Sequence, residues 1–191
     1  MRVEMYFDFS CPYAYLASTC IERVALAGGA TLHWRPILLG GVFRGLAMPE
    51  TPMGSMPPAK ARHNLRDMQR WAERRGVPLR TPSGHPLRTT RALRALLSLD
   101  EVTWPSAIHA LYRAYWVDGV DISTEAGLRA ALEAVISDPA KRRRIAERGF
   151  ESVFERGLLW RANAERALAL VFGRPGNGHG VGQTASVNAT A

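Results

Sequence analysis

The narrowest constraint on the fold lies in the first 36 residues, where a strand, a helix and a strand follow one another with almost no chain between them. Residues 2–9 read as a strand: aromatic and apolar side chains run from Val3 to Phe9, relieved only by Glu4 and Asp8. Residues 12–27 read as a helix, because Ala14, Leu16 and Ala17 are strong helix formers and Pro12 suits a first helical position. Gly28-Gly29 stops that helix, and Thr31 to Arg35 alternate as a second strand. Such a β-α-β start fits a parallel strand pair joined by a crossover helix. Cys11 falls at the first junction, directly before Pro12. A helix N-terminus presents unpaired N–H groups and the positive end of the macrodipole. The thiol is therefore expected to lose its proton more easily and to be a better nucleophile. The competing reading is a small buried apolar residue, as most free cysteines are; the position at the turn favours function.

Beyond the second strand, residues 44–58 are rich in proline, glycine and methionine and read as an adaptable loop. The pattern from Pro58 to Arg75 is helical, with Lys60, Asn64, Asp67 and Trp71 on one face. Asn64 and Asp67 read as packing hydrogen bonders. Gly76-Val77-Pro78 ends this helix. Further helices are expected over 88–99, 105–116, 123–135 and 139–154, the last with Asp138 as cap and Pro139 at its first position. Tyr112, Tyr115 and Trp116 read as core. From Gly173 onward no apolar period remains, which is the signature of a disordered tail. The expected organisation is an N-terminal β-α-β half with its loop (1–57), a helical insert (58–136), return helices (137–172) and the tail (173–191).

At 191 residues the chain suits one compact domain, or one with an insert. No apolar run reaches 18 residues, and the first residues carry Arg2, Glu4 and Asp8 with no small-residue cleavage site, so membrane and secretory readings fail. Two cysteines are too few for a disulfide framework and fit a reducing cytoplasm. The net charge of +8 comes largely from arginine. Arg62, Arg66, Arg70 and Arg74 recur every four residues as one solvated helix face, with Asp67 and Glu73 beside them for ion pairs. No nucleic-acid motif accompanies them, so the charge points to small anionic substrates. The five histidines show no metal-ligand spacing, and no phosphate-cradling glycine loop follows a strand.

The string Asp8-Phe-Ser-Cys-Pro-Tyr-Ala-Tyr-Leu-Ala17 resembles the opening of the 2-hydroxychromene-2-carboxylate isomerases. These are relatives of kappa-class glutathione transferases in the DsbA-like branch of the thioredoxin superfamily. Trp34 to Phe43, Lys60, Asp67 to Trp71, Gly76-Val-Pro78, Ala110 to Val117 and Asp121-Ile-Ser123 are similar to later blocks of that family, in the same order. The resemblance implies a thioredoxin-like α/β fold of DsbA/kappa type with a helical insert, glutathione as cofactor, a small anionic aromatic substrate and a possible homodimer. It implies a glutathione-dependent isomerase of aromatic catabolism. The alternatives are a kappa-like glutathione transferase or a monothiol oxidoreductase using Cys11, and an inactive remnant.

Cys11 takes the position that is typically a serine in those isomerases, whose hydroxyl hydrogen-bonds the glutathione thiolate. It is thus the expected catalytic and glutathione-contacting residue. Ser10 is expected to face away by strand alternation. A dithiol centre needs a second cysteine at Ala14; Cys20 lies nine residues along the same helix from Cys11, roughly 13 Å away and about twice the span of a disulfide. Cys20 is expected in the core. The resemblance assigns Lys60 to a glutathione carboxylate, for which a point charge is suited. It puts Arg44 and His85 on the substrate side, Arg44 one place beyond a family lysine and His85 where some relatives have tyrosine.

The likeness stops near residue 157. The family continues with Gly-hydrophobic-Phe-Gly-Ala-Pro-Thr, whose cis-proline pairs with glutathione, whereas this chain reads Gly157-Leu-Leu-Trp-Arg-Ala-Asn163. Codons GGG-CTA-CTT-TGG-CGC-GCC-AAC, followed by the G of Ala164, read one nucleotide later as Gly-Tyr-Phe-Gly-Ala-Pro-Thr. The expected finding in the gene is a frame change close to codon 157. Nucleotide sequencing of that region tests it, and a neighbouring frame without the Ala-Pro-Thr codons rejects it.

Overall fold

The computed structural model describes residues 1–49, 52–133 and 135–136. The first strand and second strand, β1 (Arg2–Phe7) and β2 (Thr31–Pro36), pair in parallel, Arg2 opposite Thr31 through Phe7 opposite Pro36. Helix α1 (Pro12–Ala27) makes the crossover. Among the described residues the sheet has these two strands. There follow α2 (Leu39–Gly45), a 3-10 turn at Pro52–Ser55, α3 (Pro58–Arg75), α4 (Thr90–Leu97), a second 3-10 turn at Glu101–Thr103, α5 (Trp104–Trp116) and α6 (Glu125–Leu132). The expected helix over 139–154, the return helices, the tail and the segment Gly157–Asn163 lie outside the described residues.

Helices α1 and α3 have the expected bounds because their end signals are strong. Each opens on a proline, and α3 closes on Gly76 in the left-handed conformation (φ 63°), which glycine adopts without a Cβ clash. The differences elsewhere have tertiary causes. Strand β1 stops at Phe7, two residues early, because Asp8 turns its carboxylate into the protein. Helix α2 occupies a stretch to which the sequence reading assigned no helix, running into the start of the expected loop. Its Gly40 and Gly41 are poor helix formers, but the N–H of Leu39 finds an acceptor in Asp8 Oδ2 at 2.8 Å. A residue 31 positions upstream thus serves as its cap. Helix α4 is shorter than expected, since Thr89 spends its hydroxyl on Asp8 and not on its own helix.

Helix α5 carries the core. Ile108, Leu111, Tyr112 and Tyr115 are wholly buried, and Trp116 nearly so. The Tyr112 ring meets Phe9 edge-on at 5.1 Å and Tyr15 at 5.6 Å, while Trp116 stacks on Tyr15 at 6.3 Å. The three aromatic residues are core, as expected; that their helix is wedged against both β1 and α1 is seen only in the fold, and apolar burial is the main stabilising contribution. Leu111→Ala is expected to cost about 2–5 kcal/mol of unfolding free energy. Val102→Ala, at a site 88% exposed, should change it by less than about 0.5 kcal/mol. Urea denaturation of the three proteins measures both.

Candidate functional site

The site grows from the turn between β1 and α1. Asp8 is only 2% exposed, and four donors converge on its carboxylate. Oδ1 accepts from the Ser10 N–H (3.0 Å), the Ser10 hydroxyl (3.1 Å) and the Thr89 hydroxyl (2.6 Å), and Oδ2 accepts from Leu39. The Asp8 carbonyl accepts from the Cys11 N–H at 3.0 Å and from the Tyr112 hydroxyl at 3.2 Å. The next carbonyl, Phe9, accepts from the Trp116 indole N–H at 2.9 Å. Buried backbone groups at a strand end need such partners, and α5 supplies them. The turn that presents Cys11 is in this way bolted to the core.

Cys11 is half-buried at the N-cap of α1, with extended backbone (φ −90°, ψ 111°). Its acidity corrects the sequence expectation. Burial pushes the thiol above its ordinary range, and the negative charge of Asp8 adds to that. The backbone N–H groups of Ala14 and Tyr13 pull the other way and lose. Desolvation outweighs the helix terminus because the sulfur is packed behind the turn and not held out in water. In this state the group is a neutral S–H beside N–H donors. Such an arrangement suits holding another group's anion better than attacking as one.

The Ser10 hydroxyl donates to Asp8; Ser10 lies in the turn beyond β1, so this bond and not strand alternation sets its direction. Asp67 is a packing hydrogen bonder as expected, and not the arginine ion pair its spacing also suggested: it accepts from the Tyr13 hydroxyl, 3.0 Å away. Burial, and next that contact, push Tyr13 up to about 12, and the contact fixes α3 to the residue two beyond Cys11. Asn64 donates to Met56 Sδ at 3.3 Å, a packing bond as expected. Lys60 stands exposed in the first turn of the same helix. Arg44 is exposed in the last turn of α2.

His85 is half-buried rather than presented to solvent. Its Nδ1 lies 2.8 Å from the Tyr115 hydroxyl, its ring packs 5.0 Å from Trp116, and burial lowers its pKa. Cys20 is half-buried, not core, and both cysteines are free thiols. Arg75 lies against Cys20 Sγ and donates to the Leu16 carbonyl at 3.0 Å, a second tie between α3 and α1. A separate cleft of about 290 Å³ lies between the end of α1, β2 and the start of α5, lined by Leu26, Leu32, Trp34 and Trp104 among others. None of the sequence candidates lines it. Among the described residues no cluster could hold a metal ion, and no helix is long and apolar enough to cross a membrane.

The sequence reading passed over Asp8 and Thr89. A signal was available for the first: Asp-x-Ser at a strand end is the pattern of an Asx-turn, in which the carboxylate takes the N–H two residues on. Nothing local marks Thr89, which meets Asp8 only through the folded insert.

A β-α-β unit with a cysteine at its first turn, directly before a proline, and helices inserted after the second strand, defines a thioredoxin-like protein. The chain belongs to the DSBA-like thioredoxin domain family, whose model matches residues 2–152. It is 26% identical over 144 residues to the 2-hydroxychromene-2-carboxylate isomerase of Pseudomonas putida, covering 72% of this chain and 64% of that protein. It is 31% identical over 127 residues to the glutathione S-transferase kappa 1 of Caenorhabditis elegans, covering 61% of this chain and 52% of the other. A solved structure of 2-hydroxychromene-2-carboxylate isomerase superposes with a TM-score of 0.68 at 23% identity, over 87% of this chain and 81% of that one. The thioredoxin-like fold with a helical insert is thus the fold observed.

The direction of the Cys11 shift has a measurable consequence. Its alkylation by iodoacetamide is expected to rise at more alkaline pH in the folded protein than in the urea-denatured chain, followed by peptide mass spectrometry. The sign follows from burial favouring the protonated thiol; a folded-state profile lying on the acid side would contradict it.

Proposed function

We propose that the protein is a glutathione-dependent isomerase acting on a small anionic aromatic substrate of the 2-hydroxychromene-2-carboxylate type. The observation that carries this reading is the neutral Cys11 thiol at the start of α1. Where relatives of the resembled family have a serine hydroxyl, this chain has an S–H donor, flanked by the N–H groups of Tyr13 and Ala14. These donors fit a thiolate, and a helix N-terminus favours its charge. When bound, glutathione supplies the thiol nucleophile that adds reversibly to a conjugated enone and so frees the double bond for rotation.

The chain's own residues hold that cosubstrate. Cys11 donates to the sulfur and keeps it ionised. Lys60 takes a carboxylate. Seven residues separate it from Asp67, about 10 Å along a helix, and Asp67 touches Tyr13 next to the turn. A tripeptide in extended form spans about the same distance. Arg44 is the proposed partner of the substrate carboxylate. His85 contributes to the substrate side through its Nε2 edge, since Nδ1 faces Tyr115. Two free thiols are compatible with a reducing cytoplasm.

The transferase or monothiol oxidoreductase reading asks Cys11 to be the nucleophile, and the raised pKa of its thiol weighs against it. The remnant reading has one observation in its favour. The family match ends at residue 152, close to Gly157 where the frame reading begins.

The deciding assay is isomerisation of the chromene acid with and without glutathione. Turnover should require glutathione. Cys11→Ser should retain it, and Cys11→Ala should lose about 10- to 100-fold, the worth of a hydrogen bond to a charged group. Turnover equal in all three proteins, or independent of glutathione, refutes the assignment. Absence of both turnover and a thermal shift with glutathione supports the remnant instead.

A further inference from the structure

Of the groups that the proposed chemistry does not use, Asp8 is the one most heavily provided for. It is a fully buried carboxylate met by four donors from three parts of the chain: its own turn, the start of α2, and Thr89 at the head of α4. Four donors and no acceptor are what an ionised carboxylate requires. Burying a charge is costly unless it is paired or fully hydrogen-bonded, and capping one turn needs only the two bonds from Ser10. The further bonds join the Cys11 turn to the insert.

We propose that Asp8 is a positioning residue for Cys11, and that the Thr89–Asp8 hydrogen bond couples the docking of the helical insert to the exposure of the thiol. The route is short. Asp8 accepts the Cys11 N–H through its carbonyl, so a shift of Asp8 carries the N-cap of α1 with it. Thr89 is itself 2% exposed and precedes α4, whose Leu93 and Leu96 pack in the core. Loosening the insert therefore loosens the Asp8 anchor. The anchor also has an electrical side, because the Asp8 charge favours the protonated form of Cys11. The other titratable groups about the sulfur are Tyr13 on α1, Tyr112 on α5 and, through Tyr13, Asp67 on α3. The proposal deepens the glutathione-site reading, in which the same thiol must stay protonated to donate.

The test reads the thiol directly and needs neither glutathione nor substrate, so it stands or falls apart from the isomerase assignment. Iodoacetamide labelling of Cys11 and Cys20 is followed separately by peptide mass spectrometry across pH in the wild type, Asp8→Asn, Thr89→Val and Thr89→Ser. Asp8→Asn is expected to move the Cys11 profile toward acid and leave the Cys20 profile in place. Thr89→Val should raise Cys11 labelling at neutral pH about fivefold, the equilibrium change that one net hydrogen bond supports. Thr89→Ser, which keeps the donor, should restore the wild-type rate. A Cys11 profile superimposable on the wild type in both Asp8→Asn and Thr89→Val overturns the proposal. So does a parallel rise at both cysteines that Thr89→Ser does not reverse, because that marks general unfolding. Should Asp8→Asn fail to fold, the Thr89 pair decides alone by the same criteria.

Discussion

The structure depends on how the polar groups at the end of β1 are satisfied. A strand that runs into the protein interior must finish its backbone hydrogen bonds there or forfeit about 1–3 kcal/mol for each orphaned group. The carbonyls of Asp8 and Phe9 are finished by Tyr112 and Trp116, which are also among the largest buried side chains. The aromatic residues of α5 thus do two jobs from one position. Their rings fill the space over β1 and α1, and their polar tips close the turn. The location of Cys11 is consequently a property of the core and not of a surface loop, which is what a site needing fixed geometry requires.

That same location sets the chemistry through a competition. A helix N-terminus stabilises an anion by a fraction of a kcal/mol to about 2 kcal/mol, while loss of water around a thiolate can exceed it. Here loss of water wins, with Asp8 on its side. Many thioredoxin-like sites are arranged to attack with their own sulfur, and those need the opposite outcome. A protonated thiol at the anion-binding end of a helix can instead support a sulfur that arrives with a cosubstrate. Position alone does not decide between these; the degree of burial does.

The parts of this that were legible in the sequence are those with local causes. Pro12, Gly28 and Gly29 bracket α1, Pro58 and Gly76 bracket α3, and the tyrosine and tryptophan spacing in α5 marks a buried face. What the sequence hid has causes far along the chain. Helix α2 exists because Asp8 caps Leu39 across 31 positions, and Thr89 meets Asp8 across 81. Asp67 bonds Tyr13 across 54, so its packing role was legible while its partner was not, and the ion-pair spacing with neighbouring arginines was misleading. The thiol's acidity was misjudged for a related reason: the helix end is visible in the residues, but the packing around the sulfur is not.

Helix α3 shows how distant contacts give a generic surface helix a fixed place beside α1. Its arginines Arg62, Arg66 and Arg70 face solvent, and exposed charges of this kind contribute little to stability. Two ties on its other side, Arg75 to the Leu16 carbonyl and Asp67 to Tyr13, lay it along α1. With those two points fixed the helix is a rigid rod, and Lys60 stands about two turns past the second tie. Lengthening or shortening the rod by one residue between Lys60 and Asp67 rotates the lysine by about 100° around the axis. The position of Lys60 is therefore set by helical phase as well as by distance, and the phase is fixed by Tyr13, two residues from Cys11.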